Sequence, residues 1–152
     1  NFGLYRERTG ACSLIAKDSA TADISNSVLL SVVRSIYSMP PAHGADIVNT
    51  ILSSTELTQM WHQELDEMRS RINGLRTQIK ETLATKDIAQ DFSFIERQHG
   101  MFSFLGINKE QITRLQKEYG IYIVGSSRVN VAGVSDANIE YFANAVADVC
   151  KS

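Results

Sequence analysis

Asn1-Phe2-Gly3-Leu4-Tyr5-Arg6-Glu7-Arg8-Thr9-Gly10 opens the chain, and the reading of this stretch decides the fold. No helical or strand period leads into it, and two glycines and two arginines fall within ten residues. Gly3 permits a close approach of the backbone to a bound group. Arg8 carries a planar, permanently charged guanidinium that can grip a phosphate through two hydrogen bonds. Taken alone, Arg8 reads as a surface charge. A folded domain rarely opens this way, so the stretch is expected to lie inside a larger polypeptide.

The 152 residues suffice for a domain with a core, and 43% hydrophobic against 21% charged residues is ordinary for a globular protein. The net charge of −2 provides no basic stripe to replace phosphate counterions, so a nucleic-acid partner is not expected. No apolar run approaches the roughly 18 residues of a membrane span, and no membrane partner is expected. Cys12 and Cys150 stand far apart and read as two reduced cytosolic thiols, which places the protein in the cytoplasm. His43, His62 and His99 have no metal-ligand spacing with each other or with the cysteines, so no metal site is expected.

Further along, residues 11–16 read as a short buried strand. A helix is expected over 21–37, with Ile24, Val28, Leu29, Val32, Val33 and Ile36 on one stripe, stopped by Pro40-Pro41. A second helix should cover about 42–52. Ser54 or Thr55 then caps the longest pattern, in which Leu57, Trp61, Leu65, Met68, Ile72, Leu75, Ile79 and Leu83 recur at steps of three or four. At ~1.5 Å per residue this is a helix of roughly 45 Å, long enough to bridge two domains. Glu67 and Arg71 are expected to pair across one turn on its exposed side.

After Asp91 the period changes to two, and 92–95 and 101–104 read as a strand pair. Asn108 should cap a helix with Gln111 at the capping-box position and Gly120 at its end. Residues 121–124 and 128–131 read as two more strands, and Ser135 as the start of a last helix with Ile139, Phe142, Val146 and Val149 inward. The second half therefore reads as a small α+β layer against the end of the long helix.

Four stretches together resemble the class I pyridoxal-phosphate aminotransferases. In that family the lysine that binds the cofactor is followed by Asn-Phe-Gly-Leu-Tyr, two variable residues, an arginine, one residue and a glycine. Asn1 to Tyr5, Arg8 and Gly10 match this in register, with Thr9 where the family has a small aliphatic residue. Gly125-Ser126-Ser127-Arg128-Val129-Asn130-Val131-Ala132-Gly133 is similar to the family's Ser-Gly-Arg-Val-Asn-Val-Ala-Gly, with Ser127 in place of the glycine. Ile36-Tyr37-Ser38-Met39-Pro40-Pro41-Ala42-His43-Gly44 resembles the family's stretch after a substrate arginine, here Arg34, with Ile36 and Met39 at positions usually polar. Gly100-Met101-Phe102-Ser103 resembles Gly-Met-Phe-Ser. The Ala42-His43-Gly44-Ala45 run and the surroundings of Ser103 are most similar to the bacterial members that act on aspartate.

The resemblance implies an α/β fold of type I, with residues 1–67 ending the large cofactor domain and 68–152 forming the small α+β domain. It implies pyridoxal 5'-phosphate as cofactor, with Arg8 on its phosphate. Arg128 is implied to hold the substrate α-carboxylate. Arg34 is implied to reach the neighbouring subunit's site in a homodimer and bind the side-chain carboxylate of a dicarboxylic substrate. Phe102 is implied to line the substrate entrance, although a core strand aromatic is an equal reading. Tyr5 either supports the cofactor pocket or packs structurally. The implied reaction is ping-pong transfer of an amino group between L-aspartate and 2-oxoglutarate, with an aromatic amino acid aminotransferase as the alternative within the family. None of Lys17, Lys80, Lys86, Lys109, Lys117 or Lys151 lies in a matching context, so the Schiff-base lysine is expected immediately before Asn1, on an upstream part of the same polypeptide. A stand-alone, non-catalytic α+β module is the reading from another class.

Overall fold

A computed structural model describes residues 2–151; Asn1, the first residue of the opening motif, lies outside the described residues. The chain divides into two compact units, Asn1–His62 and Gln63–Ser152.

The first unit begins as an irregular loop and continues into α1 (Ser19–Ile36), α2 (His43–Leu52) and the start of α3 (Thr55–Ala84). Asp18 caps α1 by accepting from the Thr21 amide at 2.7 Å, which moves the helix start two residues before the expected one. The Asp18 carboxyl is held below the usual carboxylate range, chiefly by its hydrogen bonds from Thr21. Past Ile36, the Tyr37 and Ser38 amides both donate to the Val33 carbonyl, and Ser38 takes a left-handed φ of 64°. Pro40 and Pro41 then exclude another turn. Ser54 caps α3 through its hydroxyl, which accepts from the Leu57 amide at 3.3 Å. Phe2 stacks on Trp61, with ring centroids 4.4 Å apart and planes within 5°.

Residues 11–16, expected as a buried strand, form no regular element; Leu14 and Ile15 are exposed. A lone extended segment gains strand hydrogen bonds only beside a neighbour, and no described residue pairs with it. The apolar stripe of α1 is equally unpartnered. No residue of α1 is buried, and Ile36 is 71% exposed.

The second unit has a core. Leu75, Ile79 and Leu83 of α3 pack with Ile95, Leu105, Leu115, Val131, Val146 and Val149. Its elements are α4 (Phe94–Arg97), β1 (Phe102–Phe104), α5 (Lys109–Tyr119), β2 (Arg128–Asn130), a 3-10 turn (Val131–Gly133) and α6 (Ile139–Cys150). Strands β1 and β2 pair antiparallel, with Phe102 opposite Asn130, Ser103 opposite Val129 and Phe104 opposite Arg128. Helix α5 has both arms of its capping box, Asn108 accepting from the Gln111 amide and the Gln111 side chain accepting from the Asn108 amide, each at 2.9 Å. Gly120 ends it at φ 64°, where a glycine avoids the Cβ penalty.

Three expected strands are corrected. Residues 92–95 do not pair with 101–104. Asp91 accepts from the Ser93 amide and hydroxyl at 2.8 and 2.7 Å, and this turn bends the chain into α4. Phe92 and Ile95 are then buried at a helical spacing of three. Residues 121–124 form no regular element and have no strand partner among the described residues, and they lead into a turn in which the Ser127 amide donates to the Val124 carbonyl. The last strand stops at Asn130, whose side chain accepts from the Ala132 amide and starts the 3-10 turn. Helix α6 begins at Ile139, four residues after the expected Ser135, because Ser135–Asn138 form a turn with the Asn138 side chain accepting from the Ser135 amide.

Asp148 of α6 locks that helix to α5. One of its oxygens accepts from the Tyr119 hydroxyl and from Arg114, both at 2.7 Å. The Tyr119 hydroxyl, with Arg114 beside it, holds the Asp148 carboxyl below the usual range. A depressed carboxyl contributes stability that is complete above the unfolded pKa, near 3.9, and is lost as pH falls through the folded value. Asp148→Asn is therefore expected to melt modestly lower than the parent at pH 7, and the difference is expected to shrink as the pH is lowered below about 3.9. A difference that does not shrink would contradict this role.

Candidate functional site

The arginines and the aromatic singled out from the sequence fall into two groups, one in each unit. In the first unit Arg8 sits in the opening loop, where Gly3, Leu4, Tyr5, Arg8, Thr9 and Gly10 line a concavity of ≈ 400 Å³. Its backbone is left-handed, φ 51°, and one terminal nitrogen donates to the Tyr5 carbonyl at 3.3 Å. That contact folds the guanidinium back over its own loop and uses one of its five N–H groups. An exposed guanidinium in a glycine-bounded concavity fits a phosphate group.

Two features of α2 hold this loop. His43 Nδ1 lies 3.0 Å from Glu7 Oε1. Gly44 is the one buried residue among those described in the first unit. A Cβ there would overlap the Thr9 hydroxyl and come within 2.8 Å of the Glu7 Cβ. Glycine is thus required for the first turn of α2 to approach the loop carrying Arg8. Nothing in the sequence pattern assigns a role to Gly44 or to the Glu7–His43 pair, although Gly44 stands in one of the four motif stretches. If this loop holds the cofactor that the resemblance implies, Gly44→Ala in the full-length protein is expected to weaken its retention, read as loss of bound chromophore on dialysis, with overpacking of about 1–3 kcal/mol. Cofactor retained as in the parent would remove this packing role.

Arg34 lies in the last turn of α1 and is exposed. Among the described residues no hydrogen bond or ion pair engages it, so its guanidinium is available to a carboxylate.

In the second unit β1 and β2 bring Phe102 and Arg128 together. The alternation of the strands turns Phe102, Phe104, Arg128 and Asn130 to one face and Ser103 and Val129 into the core. Arg128 stands opposite Phe104 and leans diagonally over Phe102, its guanidinium carbon 4.4 Å from the ring centroid. A guanidinium over a ring face is held by the ring quadrupole while the fork remains open to a carboxylate. The residues 121–124 and Tyr141 border a cavity of ≈ 390 Å³ beside this pair. Ser127, just before Arg128, is 3% exposed and left-handed at φ 62°. Its hydroxyl accepts from the Gly106 amide at 3.1 Å, which supports a serine where glycine fits the backbone more easily. Phe2, Arg8, Ser38 and Ser127 are the described non-glycine residues with positive φ, and each lies in one of the four motif stretches.

The expected Glu67–Arg71 pair is not formed. Glu67 accepts from the Gln63 amide side chain at 3.1 Å. Arg71 turns instead to the carbonyls of Ala132 and Val134, both at 3.3 Å. Among the described residues there is no cluster of metal-ligating side chains, and no helix is long and apolar enough to cross a membrane.

The family model of aminotransferase class I and II matches residues 1–146. The chain belongs to the class I and II aminotransferases. An aspartate aminotransferase of Escherichia coli is 50% identical over 149 residues, which are 98% of this chain and 38% of that protein. An aromatic-amino-acid aminotransferase of Pseudomonas aeruginosa is 41% identical over 150 residues, 99% of this chain and 38% of the relative. The crystal structure of an aromatic-amino-acid aminotransferase from Burkholderia pseudomallei, covalently bound to pyridoxal phosphate, matches with a TM-score of 0.89 at 45% identity, over 97% of this chain and 37% of that one. The fold is thus that of the corresponding part of these aminotransferases. The chain spans a little over a third of the length of the relatives it matches.

Proposed function

We propose that the chain is the C-terminal part of a pyridoxal-phosphate-dependent aspartate aminotransferase that moves an amino group between L-aspartate and 2-oxoglutarate. The observation that carries this reading is the Arg128 guanidinium held 4.4 Å over Phe102 with its fork open, the arrangement that a bidentate α-carboxylate clamp requires. Arg34 takes the second carboxylate of a dicarboxylic substrate, in the site of the neighbouring subunit of a homodimer. Arg8 takes the cofactor phosphate in its concavity. The lysine that binds the cofactor lies upstream, immediately before Asn1. Bound pyridoxal phosphate supplies the electron sink that no protein side chain provides. This chain's part is to bind both carboxylates and hold the substrate Cα–H bond in the orientation from which its proton leaves.

The unpartnered stripe of α1 supports the same reading, because an upstream large domain would bury it. The relatives also support an aromatic amino acid aminotransferase, a second reading favoured by the cavity beside Arg128, which Tyr141 and residues 121–124 line. The full-length enzyme decides between them. Its kcat/KM for L-aspartate, with 2-oxoglutarate as acceptor, is expected to exceed that for L-phenylalanine by tenfold or more, about 1.4 kcal/mol of discrimination. Equal values, or a preference for phenylalanine, would replace aspartate by the aromatic reading.

A further inference from the structure

We propose that Arg76 is a positioning residue for substrate carboxylate binding, acting through the backbone of β1. The inference rests on the assignment of Arg128 to the α-carboxylate and adds the group that keeps Arg128 in place.

Arg76 is 1% exposed, a buried cation in α3 between Leu75 and Ile79. A buried charge is ordinarily paired with an opposite one. No carboxylate among the described residues pairs with Arg76. Neutral acceptors surround it instead. One terminal nitrogen donates to the Ile95 carbonyl at 3.1 Å and to the Ser103 hydroxyl. The other donates to the carbonyls of Gly100 and Phe102, at 2.6 and 2.9 Å. Its Nε has no hydrogen-bond partner among the described residues. A core position that needed only volume would be filled at lower cost by leucine or methionine. The retained charge fixes carbonyls in direction, and two of these belong to the segment leading into and forming β1.

That segment carries the ring under Arg128. Phe102 is held by its carbonyl on Arg76, while its side chain faces the opposite way and supports the Arg128 guanidinium. Ser103 is held by its hydroxyl and stands opposite Val129, the residue after Arg128. Arg71, five residues earlier on α3, holds the carbonyls of Ala132 and Val134 beyond β2. The two arginines thus fasten both strands of the Phe102–Arg128 pair to one helix. Lysine cannot replace Arg76 fully. Its single ammonium cannot hold the Ile95–Ser103 and the Gly100–Phe102 acceptors at two separate nitrogens.

The test uses the full-length enzyme with its cofactor and the variants Arg76→Lys, Ser103→Ala and Arg128→Leu. Three quantities are measured: the melting temperature, the dissociation constant of succinate by calorimetry, and kcat and KM for L-aspartate. Succinate has two carboxylates and no amino group, so it reads carboxylate binding without chemistry. Arg76→Lys and Ser103→Ala are expected to fold and to raise both the succinate constant and the aspartate KM by about three- to tenfold, with kcat changed less. Variants that fold and leave both constants unchanged, while Arg128→Leu raises them, overturn the role of Arg76 and leave that of Arg128 standing. A fall in kcat at unchanged KM overturns it equally. If Arg128→Leu itself leaves both constants unchanged, the carboxylate assignment falls and the inference with it. Should Arg76→Lys fail to fold, Ser103→Ala decides alone, since it removes one acceptor and opens little space.

Discussion

Replacing Arg128 by leucine in the full-length enzyme should lower kcat/KM for every amino acid substrate by about two to three orders of magnitude. All of them share the α-carboxylate, so the loss should be nearly the same for aspartate, alanine and phenylalanine. A charge-assisted hydrogen bond contributes about 1.5–3 kcal/mol, and truncating one partner of a desolvated charged pair costs about 2–5 kcal/mol or more. Leucine keeps an apolar contact with the Phe102 ring below it and is compatible with the strand at that position. The sheet register should therefore survive, and the melting temperature of the variant should stay close to that of the parent. Steady-state kinetics on the three substrates would check this. A loss confined to aspartate would assign Arg128 to the side-chain carboxylate instead.

Charge reversal at Arg34, proposed above for the second carboxylate, has a different pattern. Arg34→Asp is expected to cut activity on aspartate roughly a thousandfold and activity on alanine less than about tenfold. The attraction to the second carboxylate is lost, and a like-charge contact that costs several kcal/mol replaces it. Alanine has no second carboxylate and meets neither effect. Arg34 is exposed on the last turn of α1, and an aspartate there also opposes the negative end of the helix dipole, at about 0.3–1 kcal/mol. That small loss should appear equally in the stability of the protein with either substrate absent. The ratio of kcat/KM for aspartate to that for alanine is the deciding measurement, and an unchanged ratio would take Arg34 out of the substrate site.

Where contacts are local, the fold is legible in the residue pattern. The Asn108–Gln111 box, the Gly120 ending and the extent of α3 depend on partners within a few residues, and all three appear where the spacing puts them. Alternation misleads at 92–95. A three-residue turn at Asp91 outweighs the period-two pattern and converts Phe92 and Ile95 to a helical pair. The stretch 121–124 has strand-forming residues, but strand assignment needs a neighbour that no local pattern names. The Glu67–Arg71 spacing describes the helix surface in isolation. Arg71 finds two carbonyls more than sixty residues away, and these prevail over a solvent-exposed pair worth a few tenths of a kcal/mol.

The candidate site is legible wherever a residue type is itself the chemistry. Taken singly, Arg8, Arg34 and Arg128 read as surface charges, and it is the four motif stretches in order that single them out. Arg76 leaves one trace in the sequence. It stands four residues after Ile72 and three before Ile79, so a charge sits on the apolar stripe of α3. Nothing in the sequence points to its partners, because three of the four are backbone carbonyls, which every residue possesses. The amino-acid sequence by itself determined the long helix α3, both ends of α5 and the identity of the charged groups, since these follow from near neighbours and side-chain chemistry. Only the tertiary structure decided that β1 pairs with β2, that Phe102 lies under Arg128 and that Arg76 and Arg71 tie both strands to α3. Those contacts join residues about twenty-five to sixty positions apart, and the strand pairing and the carbonyls that Arg76 and Arg71 hold are main-chain groups that carry no residue-specific mark.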